Sequence, residues 1–276
     1  MWRYGSDLRL FLGALGALLL QVGHPTVGAG VRDHSRFEEE PWGRLFRTVD
    51  YMNLMVYGGG DAVEVGRRLR GMHRGIRGRL WDGGRYSALE PGAYAWVHAT
   101  LVWSVVRGQE LFGSGIGRGE VEALYREWVG LGRLIGVREG DLPGDWDGFL
   151  GYFRGMVQEW LEPNETVERV LRAARRPGVP AGLPGWAGRV WGIVGVPMGH
   201  MLSVTGVGML PAPVRERLGL GWSAAKEREF RVIAAGARGL TPVLPEALRV
   251  NGPVYLRARR REIARDEFAP ASYRTQ

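Results

Sequence analysis

The 276-residue chain is 45% hydrophobic, carries a formal net charge of +8 and contains no cysteine. That size and composition suit one large domain or two small ones with a substantial buried core. The lack of cysteine excludes disulfides, thiolate catalysis, iron–sulfur clusters and cysteine-ligated zinc or heme, so any metal must take histidine, carboxylate or weaker ligands. A basic balance ordinarily points to nucleic acid or an anionic membrane. Here Lys226 is the one lysine among 37 basic residues, and the other 36 are arginines spread along the chain. With 44 glycines as well, the skew reads as codon usage in a GC-rich genome, and no nucleic-acid partner is expected. The basic run Arg257–Arg261 reads as the solvated end of a helix, with a contact to acidic lipid as the minority alternative.

In chain order, Leu10–Leu20 is an uninterrupted apolar run. It is too short for a membrane span, which needs roughly 20 apolar residues. A signal peptide would look similar, but a buried internal helix is the favoured reading. His24-Pro25 then breaks the chain, since proline cannot continue a helix, and a second helix is expected from about Thr26 to Phe37. Glu38–Pro41 is a polar joint. Trp42–Tyr57 is amphipathic, and Arg44 and Thr48, four apart, share one side of it. Gly58–Gly60 ends that helix.

The spacing of Val65, Leu69, Met72, Ile76 and Leu80 predicts one apolar face of a helix over Asp61–Arg79, capped by Asp61. His73 lies at the edge of that face, with Arg70, Arg74 and Arg77 on its flank. An imidazole beside guanidinium groups suits an anionic cofactor that needs a nitrogen ligand, and heme is such a group, with an iron for the histidine and propionates for the arginines. On these residues alone the plainer reading, a partly buried histidine with solvated arginines, is the stronger one.

Trp81–Glu90 reads as a loop with a turn at Asp82-Gly83-Gly84. Pro91–Val106 contains no charged residue, which predicts a core helix, and His98 in its middle needs a hydrogen-bond partner or a metal. Further helices are expected over Glu120–Ile135, Asp147–Trp160, Glu165–Arg175 (capped by Asn164), Trp186–Leu210 (with His200), a short one from Pro211, Ser223–Arg238 and Pro245–Arg261. Arg175–Gly185 is a Pro/Gly-rich external connection. With almost no alternation of period two, the expected fold is all-α: a single domain of ten or more helices with a loose tail from about 263. Phosphate-binding glycine loops, HExxH and GxSxG are all absent, which leaves hydrolase and kinase chemistry without a foothold. The histidines, His24, His73 and His98 with His34 and His200 behind them, are the remaining candidates.

The segments QVGHPTVGAGVRDHSRF, GRLFRT, RLRGMHRGIRG, YSALEP with WVHATLV, LIGVREGDLP and MLPAPVRERLGLGW, in this order, resemble the catalytic domain shared by latex-clearing proteins (rubber oxygenases) and MpaB-type oxygenases. The resemblance spans about residues 10 to 222, with the last helices and tail beyond it. It implies a heme b (iron) cofactor, dioxygen as co-substrate, and oxidative C=C cleavage of an apolar, prenyl-chain type of substrate. The family's Arg-x-x-[Lys/Arg]-Thr motif maps to Arg44, Arg47 and Thr48, and its proximal ligand to His73, with His98 as the second choice. Arg70, Arg74 and Arg77 are then candidate propionate partners, and Arg44, Thr48 and His24 candidates for orienting groups near the pocket. Arg47 departs from the lysine of the rubber-cleaving members. Arginine stays protonated and is a very poor iron ligand, so an open or water-bound distal position is expected. The competing class is a non-catalytic heme- or lipid-binding helical protein. A charge-driven membrane-surface or nucleic-acid binder is a weaker one. The resemblance begins within or just after Leu10–Leu20, which favours a retained segment and a cytoplasmic protein with peripheral membrane contact.

Overall fold

The computed structural model describes residues 1–180, 184–245 and 249. The expected helix Pro245–Arg261 and the tail lie outside the described residues. Among these, twelve α-helices and one two-stranded hairpin are present, so the chain is all-α.

The core is built on α6, Pro91–Leu111. Pro91 begins the helix, and the Glu90 carboxylate accepts from the Gly92 and Ala93 amides at 3.1 and 2.8 Å, satisfying two of the open donors of the first turn. Its uncharged stretch Pro91–Val106 is largely buried, with Trp96, Ala99 and Val102 fully inaccessible, and Arg107 and Glu110 pair near its exposed end. Three neighbours close around it. From α2 (Ala14–Val22), the Leu20 carbonyl accepts from Trp96 Nε1 at 2.9 Å. On α7 (Arg118–Ile135), the Trp128 indole donates to the His98 carbonyl at 3.1 Å. From α8 (Trp146–Glu159), Phe153 stacks on Trp103 at 4.9 Å. Each fully buried large side chain in such a cluster contributes about 1.5–3 kcal/mol.

The apolar run Leu10–Leu20 is buried as expected, but in two pieces, a 3-10 turn over Leu8–Gly13 and then α2. After Val22 the chain bends by 105° into α3, Pro25–His34, at the His24-Pro25 break. The helix α10, Gly185–Gly208, crosses α2 where Gly16 and Gly206 meet; a Cβ on Gly16 would lie 2.6 Å from the Gly206 carbonyl oxygen. Next to α10 lie α9 (Glu165–Arg175) and α12 (Ala224–Leu240). Asn164 caps α9, as expected, by accepting from the Val167 amide.

The histidine helix is shorter than its periodicity predicts. This helix, α5, covers Ala62–His73. Asp61 stands at its N-cap position with helical dihedrals and makes no side-chain cap. Beyond Arg74 and Gly75 the chain turns into a hairpin, β1 Arg77–Arg79, where the helix was expected to continue, against β2 Arg85–Ser87, where a loop was expected. Ile76 and Leu80 therefore leave the helical face, and Met72 is exposed. The buried side of α5 is made by small residues, Ala62 and Gly66. Glycines at 75, 78, 83 and 84 weaken the helix there, and Gly83, at φ +88°, closes the turn. Tyr86 donates to Asp33 at 2.7 Å and Arg32 lies 4.7 Å over Trp81, holding the hairpin to α3.

Gly66 is a close-approach point, since a Cβ there would sit 2.7 Å from the Leu134 carbonyl oxygen of α7. Gly66→Ala is expected to destabilise the fold by about 1–3 kcal/mol through overpacking. Gly71→Ala, in the same helix and facing open space, should raise stability by about 0.5–1 kcal/mol. Urea unfolding of the two variants checks both signs.

Candidate functional site

His73 is the last residue of α5. Its Nδ1 lies 2.7 Å from the Leu69 carbonyl, one turn back. A carbonyl only accepts, so Nδ1 carries the proton and Nε2 is left with its lone pair. Tyr94 of α6 holds the ring edge-on, centroids 5.8 Å apart. The Tyr94 hydroxyl is committed to the Ile135 carbonyl at 3.0 Å, so that aromatic wall is itself anchored. Orientation of the ring through one nitrogen with the other left basic is the usual arrangement of a ligating histidine. The half-buried position keeps Nε2 approachable.

Arg44 lies on α4, Pro41–Tyr57. Its guanidinium donates to the Ser35 hydroxyl just past the end of α3. That partner is neutral, and among the described residues no carboxylate stands within ion-pairing distance of Arg44. Burial, followed by the nearby charge of Arg47, pushes its pKa below the ordinary arginine value. A desolvated cation with no counterion is costly, and an anionic group would relieve it. The end of α3 adjoins both halves of this region. His34 Nε2 donates to the Arg77 carbonyl at 3.2 Å, four residues past His73, while Ser35 holds Arg44. Across the α4–α5 pair Tyr51 donates to the Met72 sulfur at 3.4 Å.

The other candidates are placed differently. Thr48 is exposed and donates to the Arg44 carbonyl at 3.0 Å, so its hydroxyl caps its own helix turn. Arg47 stands 3.7 Å from Glu40. Arg70 donates to the Gly136 carbonyl at 2.9 Å and so reaches toward the end of α7. Arg74 is exposed just past α5, and Arg77, now in β1, donates to the Arg74 carbonyl at 3.1 Å. The single arginine flank expected of one long helix is therefore divided between a helix, its end and a strand. His98 is fully enclosed. Its Nε2 donates to the Trp128 carbonyl at 2.8 Å while the Trp128 indole returns a bond to the His98 carbonyl. That is the geometry of a core histidine. His200 pairs with Glu229 at 2.6 Å on an exposed face.

His24 is 2% exposed at the bend between α2 and α3, stacked on Trp160 at 5.3 Å. Its Nδ1 is buried without a partner among the described residues, and no hydrogen bond or ring contact links it to His73 or Arg44. Sequence reasoning did not single out Ser35, Tyr94 or the Leu69 carbonyl. Ser35 lies inside the QVGHPTVGAGVRDHSRF segment, and Leu69 stands at the helical i−4 position of His73, so both carried a readable signal. The Tyr94 contact arises from the packing of α5 against α6 and carried none.

Among the described residues no cluster of three or more histidines and carboxylates is placed to hold a bare metal ion. A metal at His73 therefore needs most of its ligands from a non-protein group. These features define an all-α domain with a histidine–arginine site at the junction of α3, α4, α5 and α6. The chain matches the family described as ER-bound oxygenase mpaB/B′ and rubber oxygenase, catalytic domain, over residues 2–239, and it belongs to that family. The match runs beyond the stretch of about 10 to 222 over which the motifs carry the resemblance. The chain is similar to the uncharacterized proteins Mb2261 of Mycobacterium bovis and Rv2237 of Mycobacterium tuberculosis. Each is 24% identical over 233 residues, covering 83% of this chain and 87% of the relative. No solved structure matches.

Burial holds both His24 and His98 at about pKa 4, below the ordinary 6.5. The unfolded chain takes up these protons near pH 6.5, whereas the folded chain resists them until about pH 4. Stability should therefore be complete above pH 6.5 and fall progressively toward pH 4, by on the order of a few kcal/mol per histidine. Urea midpoints measured between pH 4 and 7 check this, and a His98→Gln variant should show a shallower fall.

Proposed function

We propose that this oxygenase-family domain is a heme b-dependent enzyme that cleaves a C=C bond of an apolar, isoprenoid-type substrate with dioxygen. One observation carries the reading: the His73 ring is oriented through Nδ1 by Leu69, with Nε2 left basic, and a half-buried Arg44 with no carboxylate partner among the described residues stands on the adjoining helix. A nitrogen ligand and a propionate partner are what heme requires of a protein, so the residues present fit the group. The family description names oxygenases, which supports the chemistry.

His73 would hold the iron and Arg44 a propionate, with the exposed Arg74 as a further cation near the end of α5. When bound, heme supplies the oxygen activation that no side chain of this chain can supply. The protein's own part is positional. The Leu69 carbonyl prevents rotation of the imidazole and favours the tautomer with basic Nε2. Tyr94, anchored at Ile135, sets the tilt of the ring. Arg47, always protonated, would offer an iron no nitrogen ligand, and the apolar side chains of α4 would shield an alkene from water.

The test is the visible spectrum of protein purified from heme-supplemented cells. A Soret band is expected in the wild type and in His98→Ala, and its loss in His73→Ala, with recovery in His73→Gly on adding imidazole. Arg44→Ala should weaken heme retention about tenfold, the cost of one charge-assisted hydrogen bond. A band lost in His98→Ala alone would move the ligand, and a colourless wild type would sink the heme reading. With heme retained, dioxygen-dependent consumption of an isoprenoid alkene, giving carbonyl-ended products, separates the enzyme from a heme carrier.

A further inference from the structure

The N-terminal half of α10 has an apolar face on which nothing packs among the described residues. Trp186, Val190 and Ile193 recur at spacings of four and three and so form one stripe. They are 67%, 47% and 76% exposed. Val179, just before α10, is also exposed. The stripe lies on the far side of the helix from Trp191, which packs edge-on against Trp42 of α4 at 5.4 Å. It therefore faces away from α4 and from the His73–Arg44 region. The C-terminal half of the same helix is covered: a Cβ on Gly206 would meet α2 and one on Gly208 would meet Phe230 of α12. A 23-residue stretch of α10, Trp186–Gly208, is long and apolar enough to cross a membrane, yet only 33% of its most apolar window is buried in the protein. Because its C-terminal half is embedded in the core, the helix offers its other half as a surface and does not span.

Charge distinguishes this surface. Between Glu168 and Glu216 the sequence has no acidic residue. Arg189 borders the stripe, while Arg175 and Arg176 are exposed beside Val196 and His200 farther along α10, and none of the three has a carboxylate within ion-pairing distance among the described residues. The segment carrying Arg175 and Arg176 is held against α10, with Trp191 Nε1 donating to the Pro177 carbonyl at 2.9 Å. An apolar stripe edged by unpaired arginines with a tryptophan at one end is the composition of an interfacial helix. Single exposed apolar residues are ordinary, whereas a contiguous patch marks an interaction site. Arginines outnumber the acids on this side of the protein, with Glu229 engaged by His200, and that excess favours a negatively charged partner.

From this we infer that the α9–α10 face docks the protein on an anionic bilayer surface, with Trp186, Val190 and Ile193 entering the headgroup–acyl boundary and Arg175, Arg176 and Arg189 meeting lipid phosphates. The inference is independent of which cofactor His73 holds, and the family match assigns no face to a membrane.

The test is co-sedimentation of the full chain with vesicles of equal phosphatidylglycerol and phosphatidylcholine, and with phosphatidylcholine alone. Binding is expected to the mixed vesicles, weakening as salt rises. Val190→Glu and Ile193→Glu should each lower it about tenfold or more. Arg175→Gln, Arg176→Gln and Arg189→Gln should each lower it roughly fivefold and flatten the salt dependence when combined. Val232→Glu, at an equally exposed site on α12, should leave it unchanged. No partition into anionic vesicles at low salt would overturn the inference, as would equal losses in Val232→Glu. A lipid-free dimer dissociated by Ile193→Glu would also overturn it and assign the face to a second copy of the chain.

Discussion

A helix with no polar side has to be surrounded, and α6 imposes that condition on the chain. Over Pro91–Val106 it has no charged residue, so α2, α7 and α8 close around that stretch, and only near its end do Arg107 and Glu110 pair at the surface. Several of the buried polar groups it carries are matched across those same contacts, although the Ser104 hydroxyl has no partner among the described residues. The Trp96 indole finds the Leu20 carbonyl, and His98 and Trp128 exchange two bonds between their helices. Burial without partners would cost several kcal/mol at each atom, so these pairs set the rotation of the neighbouring helices as well as their distance. Glycines then allow the second ring of contacts, α10 on α2 at Gly16 and Gly206 and α5 on α7 at Gly66, where backbones approach too closely for any side chain.

The candidate site lies outside this rigid body and differs from it in kind. Helices α4 and α5 pack on each other and reach the core through α7 and the edge of α6. What they carry is polar and incompletely satisfied. The His73 imidazole has one nitrogen engaged, and Arg44 has a neutral partner for a desolvated charge. Core polar groups such as His98 are paired. A cation on α4 with only a neutral partner and a half-engaged histidine on the adjoining α5 are groups that a ligand would complete. His98 and His73 contrast within one protein, since the first is enclosed in the core and the second is half-exposed at a helix end.

Much of this architecture is legible in the order of the amino acids. The all-helical class, the core helix at Pro91, the break at His24-Pro25 and the Asn164 cap follow from charge-free runs, proline and capping chemistry, all of which act within a few residues. The order of the motifs points to the family to which the chain belongs. The exception is α5. Its apolar period runs on through Ile76 and Leu80, while the glycines at 75, 78, 83 and 84 end the helix and favour a hairpin. Periodicity records which residues are apolar and says nothing of the strength of the helix between them. That hairpin is pinned by Tyr86 on Asp33 and Arg32 on Trp81, contacts between segments some fifty residues apart.

The sequence by itself therefore determined the class of fold, the identity of the core helix and the family, and it offered His73 and Arg44 as candidates for the site. These depend on local pattern and on side-chain chemistry, which a linear reading carries. Tertiary structure alone decided which nitrogen of His73 is engaged, that Arg44 meets Ser35 and no acid, that His98 belongs to the core, and that one half of α10 is bare while the other is buried. Each of these is a question of what lies within hydrogen-bonding or van der Waals reach, and reach is settled only when distant segments are brought together.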